Sequence, residues 1–245
     1  MHSRLRSEIT DASALRAHEV ERLYALHEAS YDGVDRARFR RDLEEKRWVI
    51  LLREAEHGEV VGFSTQRILD ASVQGRRVRA LFSGDTVIDP AYWGEQALVR
   101  AFCQLIGRLQ TEGGDRALFW FLISKGHRTY LYLPTFFVEF WPRHDRPTPT
   151  FEAELIRVLG ETRYPGEFDP ATGLIRPRGA HDRLKRGLDT SAHRARNPHV
   201  AFFVSRNPGH AEGHELACVA DLSPQNIRPH VRREVEAAME AICAP

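Results

Sequence analysis

The chain has 245 residues, 42% hydrophobic and 28% charged, a balance that supports a buried core and excludes overall disorder. Its 35 lysines and arginines against 34 aspartates and glutamates leave a formal charge of +1. A global nucleic-acid or membrane-surface signature is thereby excluded, and any electrostatic recognition must be local.

Cys103, Cys218 and Cys243 are odd in number and lack CxxC spacing, which argues against a disulfide framework or zinc ribbon and suits a reducing, cytoplasmic compartment. The polar start MHSRLRSEITDAS has no apolar core of a secretory signal, and no apolar run approaches the ~20 residues that span a bilayer. Leu15, Val20, Leu23, Tyr24, Leu26 and His27 recur at near-helical spacing, predicting a helix over 13–31 opened by Asp11 or Ser13 as N-cap. A more charged helix is predicted over 35–46, with Phe39 and Leu43 facing inward. From Trp48 the period becomes that of strands: WVILLRE (48–54), EVVGFSTQRIL (59–69) and RVRALFSGDTVI (77–88), separated by Gly58 and by a turn around Gly75.

Pro90 ends the third strand, and helical spacing returns over 95–110 until Gly113–Gly114 stops it. ALFWFLIS (117–124) is a continuous apolar run, expected as a strand buried on both faces. A short helical segment with Pro134 near its start follows, up to Trp141–Pro142. Residues 142–198, rich in Pro, Gly, Arg and Asp, read as an irregular insertion with one short helix at 150–160 and no core of its own. HVAFFVS (199–205) and HELACVADL (214–222) then read as two strands joined by the turn-rich NPGHAEG. A C-terminal helix over 224–242 is expected from Ser223 as cap and Pro224 at its first position. The whole is expected to form one domain over 1–245.

The joint VIDPAYWGEQALVRAF (87–102) resembles the signature of the GNAT superfamily of N-acyltransferases, where a strand ending near Pro and Tyr runs into a glycine-rich turn and a helix. Free N–H groups at that helix N-terminus point outward, where they can bind the pyrophosphate of coenzyme A, and glycine lets the phosphates approach. The family's pattern (Arg or Gln, two residues, Gly, one residue, Gly or Ala) falls here on Trp93, Gln96 and Leu98. Neither glycine position holds glycine, although Gly94 lies one step inside. The alternative is an ordinary β-to-α turn.

The resemblance covers 7–141 and 199–222, with Ser7–Thr10 as a short first strand. It implies a GNAT-like α/β (α+β) fold: a mixed central sheet flanked by helices, with the insertion before the last two strands and a C-terminal helix. It implies transfer of an acyl group from a thioester, on coenzyme A or on the phosphopantetheine of a carrier protein, to an amine, without a metal. Val87, Trp93, Gly94, Glu95, Gln96, Ala97, Leu98 and Ser124 would lie along the donor. Two rivals are a non-catalytic binding module on the same scaffold and an acyl-thioester decarboxylase or synthase.

Amine acylation needs a base for the attacking ammonium and often an acid for the leaving thiolate. The carboxylate matching the family's base is Asp85, in an SGD stretch where Ser83 and Gly84 would suit a bulge; the alternative is a plain strand-end aspartate. For the acid, Tyr132 stands at the expected spacing, with Tyr130 the near alternative; both could instead be core aromatics. His127 is a further base candidate because its unperturbed pKa lies near neutrality. His210, Glu212, His214 and Glu215 tempt a metal assignment, but Pro208, Gly209 and Gly213 deny them the helix that four-residue spacing requires. Cys103 reads as packing.

The aromatic run from Phe119 to Trp141 could line a channel for a long acyl chain, or simply fill the core. The insertion's Arg176, Arg178, Arg183, Lys185, Arg186, Arg194 and Arg196 form a local basic patch. Arg183, Lys185 and Arg186 are the candidates to meet an acidic carrier protein, against the default of a solvated loop.

Overall fold

The computed structural model describes residues 3–114 and 116–243, with side chains to residue 240. Strand β1 (Leu5–Asp11) leads through a 3-10 turn into helix α1 (Ala17–Ser30). Neither Asp11 nor Ser13 caps that helix. Arg16 occupies the N-cap position, and its backbone N–H donates to Glu19 Oε2 at 2.9 Å. After β2 (Tyr31–Asp32), helix α2 (Arg36–Glu44) is capped by Asp35, which accepts the Arg38 N–H at 2.7 Å, and it buries Phe39 and Leu43. Then come the antiparallel strands β3 (Trp48–Glu54), β4 (Val60–Val73) and β5 (Arg76–Ile88).

Helix α3 (Ala97–Glu112) stops at Gly113–Gly114, and β6 (Leu118–Ser124) returns parallel to β5. In place of one short helix there are two, α4 (His127–Tyr130) and α5 (Tyr132–Phe136). Next in order are α6 (Thr150–Arg163), β7 (Phe168–Asp169), β8 (Leu174–Ile175), β9 (Arg183–Leu184), α7 (Pro198–Arg206), β10 (Glu215–Asp221) and α8 (Pro229–Cys243).

Among the described residues, eight strands form one sheet in the order β1-β3-β4-β5-β6-β10-β8-β7, antiparallel except between β5 and β6. This is the expected GNAT-like mixed sheet with flanking helices. Period-two alternation sends Ile50, Leu52, Leu81 and Trp120 to the face covered by α3 and α8. It sends Val49, Leu51 and Phe63 to α1 and α2, and Phe82, Phe121 and Val219 to α6. No described helix is long and apolar enough to cross a membrane.

Three further expectations fail. HVAFFVS is helix α7, not a strand: Asn197 Oδ1 accepts the His199 and Val200 N–H groups, Pro198 sits in the first turn, and Val200 and Phe203 share the buried face. One strand, β10, therefore follows the insertion, and NPGHAEG joins a helix to it. The insertion does contribute core: Leu155, Ile156 and Leu159 of α6 pack with Phe168 and Ile175 against the sheet. Finally, α8 starts at Pro229, because Asn226 holds the preceding turn, donating from Nδ2 to the carbonyls of Glu139 and Asp221 at 2.8 Å each.

The outer edge of β10 is fully engaged. Glu215 and Leu216 pair with Ile175 and Leu174, the Ala217 N–H donates to Gly173 O at 3.0 Å, and Val219 exchanges two 2.8 Å backbone bonds with Trp141.

Candidate active site

The parallel pairing of β5 with β6 runs from Arg79↔Leu118 to Ser83↔Leu122 and goes no further. Beyond it, Thr86, Val87 and Ile88 stay with Ser64, Phe63 and Gly62 of β4, while Ile123 and Ser124 follow β10. The two strands part, and their C-terminal ends frame an opening. The irregularity expected at Ser83–Gly84 lies here, as a register shift opposite Ser64–Gln66. Gly84 is required by close approach: a Cβ would sit 2.7 Å from Thr65 Oγ1 and from Lys46 Cε.

A cavity of about 810 Å³ opens on one side, reaching from Val87 and the 93–96 turn to Arg128, Tyr132 and Arg194. Gly94 takes φ +95°, and no side chain caps α3, so the helix presents its first-turn amides and the positive end of its dipole. Arg100, Arg128 and Arg194 line the same cavity, and none forms an ion pair among the described residues. Burial, together with the Arg194 charge, holds the Arg128 guanidinium below its ordinary pKa. The Arg128 side chain lies over the Trp93 ring at 3.9 Å, and Trp93 Nε1 donates to Ile88 O at 3.0 Å. An anion would be favoured at such a place, although Glu95 and Glu234 also reach the wall.

A second cavity, of about 240 Å³, lies on the other side of the opening. It gathers His27 from α1, Asp85 from β5, Lys125 just past β6, Asp182 from the insertion and Glu215 from β10. Lys125 Nζ is 2.7 Å from Asp182 Oδ2 and 3.6 Å from Glu215 Oε1. His27 Nε2 faces Asp182 Oδ2 at 3.5 Å and Asp85 Oδ1 at 3.8 Å. Burial opposes the charge on His27, but Asp85 and Asp182 prevail and raise its pKa. Burial likewise raises Asp85, against the pull of His27, and lifts Glu215 to about 7, against Lys125. Asp182 goes the other way: His27 and Lys125 overcome its burial and hold it well below the usual carboxylate range.

The cavities share Tyr31, Thr86, Lys125 and Thr129. Thr86 also ends a buried polar chain. Trp120 Nε1 donates to Ser83 Oγ, Ser83 to Gln66 Oε1, and Gln66 Nε2 to Ser64 Oγ, each at 2.8 Å; Ser64 Oγ lies 2.7 Å from Thr86 Oγ1. A small apolar annex of about 30 Å³ reaches inward from Thr86 and Tyr132 to Phe102, Trp120 and Leu122.

Of the residues singled out from the sequence, Val87, Trp93, Gly94, Glu95, Gln96, His127 and Tyr132 line the larger cavity, and Asp85 the smaller. Ala97 and Leu98 turn their side chains into the core, where Leu98 also lines the small annex. Tyr132 is half-buried, and burial raises its pKa. Tyr130 does not join them: it is fully buried and its hydroxyl donates to Pro142 O at 2.9 Å. Ser124 is also fully buried and outside both cavity walls. His127 sits not on a loop but at the start of α4, 1% exposed, with burial lowering its pKa although Asp189 lies 3.6 Å from Nδ1.

His210 is taken up by Asn207 O and Asp189, and Glu215 by Lys125. No group of three metal-ligating side chains occurs among the described residues. Cys103 and Cys218 are buried, Cys103 with its thiol pushed up to about 12 by burial, and the Cys243 side chain lies outside the described residues.

The aromatic run forms no channel. Trp120, Tyr132 and Phe136 face the cavities, Phe119 and Phe121 pack beneath α6, and Tyr130, Phe137 and Phe140 fill the core. Within the basic patch, Arg176 pairs with Asp169 at 3.0 Å; Arg183 and Arg186 are exposed, while neighbouring Leu184, Leu188 and Arg194 line the larger cavity. Sequence reasoning missed His27, Tyr31, Thr86, Lys125, Asp182 and Arg128. Lys125, a charge directly after an apolar strand, carried the one usable signal.

No family model and no curated protein matches the sequence. Among solved structures, the chain is similar to a "Probable N-Acyltransferase" of Enterococcus faecalis, with 14% identity and a TM-score of 0.41, over 57% of this chain and 37% of that one. It is similar to the GNAT family N-acetyltransferase YhbS of Escherichia coli in complex with CoA, with 16% identity and a TM-score of 0.37, over 56% and 71%. A third is Saccharomyces cerevisiae N-myristoyltransferase with bound myristoyl-CoA, with 10% identity and a TM-score of 0.39, over 51% and 30%. The chain thus spans well under half the length of the first and third. The class its own sheet topology defines is a GNAT-like α/β fold.

Proposed function

We propose that the protein transfers an acyl group from a thioester, carried by coenzyme A or by the phosphopantetheine of a carrier protein, to an amine. The observation that carries this reading is the meeting of two cavities, one cationic and one rich in carboxylates, where β5 and β6 part. The α3 amides with Arg128 and Arg194 would hold the donor's phosphates. Asp85 would take a proton from the ammonium, its burial-raised pKa making it a stronger base than an exposed aspartate. The amine nitrogen would then attack the thioester carbonyl. As the C–S bond breaks, Tyr132, kept protonated by its burial, would give its proton to the departing sulfur.

An annex of about 30 Å³ has room for roughly one water or methyl group, which favours a short acyl group. Gln96 and Leu98 at the two glycine positions of the turn favour the rival, a binding module without turnover. Calorimetry with acetyl-, butyryl- and longer acyl-coenzyme A, followed by assay of thioester cleavage with amines, tests both. Absence of donor binding would overturn acyl transfer; binding without cleavage for any amine would leave the binding module.

A further inference from the structure

We infer that the acceptor is a compact primary amine with one positive charge and no carboxylate, bound in the smaller cavity among His27, Asp85, Lys125, Asp182 and Glu215. This rests on the acyl-transfer reading. The cavity's about 240 Å³ equals roughly eight water molecules, enough for an amine of a few carbons.

The charges give the rest. Asp42 is answered by Lys46 and Arg163, and at the rim Arg38 stands against Asp35 and Glu167. Inside remain the carboxylates of Asp85, Asp182 and Glu215, whose ion-pair contacts are with Lys125 and His27 alone among the described residues. One negative charge has no partner when all three carboxylates ionise. Burial lifts the Glu215 pKa to about 7, so a proton on Glu215 can stand in for the missing cation.

The groups facing Glu215 are Lys125, Asp182 and Asp85, with the phenols of Tyr31 and Tyr164. None of them supplies the missing cation; an ammonium would. A second observation marks the cavity as a place for a polar guest: His27 lines it at 5% exposure, and neither ring nitrogen has a hydrogen-bond partner closer than the 3.5 Å from Nε2 to Asp182. A zwitterionic amine would bring a further carboxylate beside three others with no inner cation to spare.

The test is calorimetric binding of propylammonium and of 3-aminopropionate, matched in length, to the intact protein. Propylammonium binds, and 3-aminopropionate is weaker by on the order of 100-fold, as expected for one added like charge in a partly buried site. Propylammonium stays charged throughout, so its affinity rises with pH as Glu215 ionises near 7, and loss of the His27 proton adds to that rise. Runs in buffers of different ionisation enthalpy show a proton released below that point. Glu215→Gln flattens the pH dependence and weakens binding by roughly 10-fold or more.

Equal or tighter binding of 3-aminopropionate, pH-independent binding, or no amine binding at tens of millimolar overturns the inference. Were Glu215→Gln not to fold, the comparison of the two amines on the unmodified chain still decides. Coenzyme A binding is measured alongside: amine failure with donor binding intact sinks this acceptor alone, whereas donor failure sinks the acyl-transfer reading.

Discussion

Thr86 Oγ1 lies 2.7 Å from Ser64 Oγ, tying a residue of β5 shared by both cavities to a hydrogen-bonded chain that ends on Trp120. Thr86→Val keeps the shape and removes the hydroxyl. It should cost about 1 kcal/mol of stability, the usual net worth of such a bond, and lower kcat more than it raises either KM. Thermal melts and steady-state kinetics check this; unchanged kcat would make the chain purely structural.

Asp85→Asn should lower turnover by roughly 10²-fold, in the range for loss of a general base, with donor binding retained. The pH profile carries the sign. Burial raises Asp85 above the ordinary aspartate range, so kcat/KM should rise with pH through a limb above that range, and this limb should vanish in the Asn variant. Wild-type turnover in Asp85→Asn would leave Asp85 a strand-end carboxylate.

The two tyrosines should separate by what they lose. Tyr132→Phe, at the cavity wall, should reduce kcat by roughly 10²-fold with donor binding little changed. Tyr130→Phe loses its bond to Pro142 O and should cost about 1 kcal/mol of stability while kcat holds. Interchanged results would reverse the assignment of the acid.

Much of the sheet was legible because strands β3 to β6 announce themselves by alternation or by unbroken apolar runs between glycine turns. Helix α7 was not. Val200, Phe202, Phe203 and Val204 have the composition of a strand, and the decisive signal was the Asn197–Pro198 start just outside the run. The insertion was misjudged because Leu155, Leu159, Phe168 and Ile175 are sparse in sequence and become a core only against Phe121 and Val219. The 93–96 turn was readable from one continuous motif, and Asp85 and Tyr132, now found on the cavity walls, only from their spacing in the family the sequence resembles. The cluster around Asp85 was not, since His27, Lys125, Asp182 and Glu215 come from four distant places and only tertiary folding joins them.

Reversing Arg183, Lys185 and Arg186 to Glu should weaken use of a carrier-bound donor and spare a free coenzyme A thioester. Arg183 and Arg186 are exposed, beside residues that wall the larger cavity, where they could speed encounter with an acidic protein. The effect should fade as salt shortens the Debye length from ~10 Å at 0.1 M to ~3 Å at 1 M. The comparison is kcat/KM for both donors at low and high salt. Equal losses would assign these cations to the fold or to the phosphates, and no loss would make the patch a solvated surface.

The engagement of β10 by Trp141 on one end and Gly173–Ile175 on the other matters for what happens when it is lost. The strand's middle, Leu216 to Ala220, carries no charge and no proline, and a bare edge of that kind invites pairing with a second chain. On this reading residues 141–178 guard against self-association as well as walling the site. A version trimmed of them to leave a minimal enzyme should come out of solution as aggregates rather than as a smaller soluble protein.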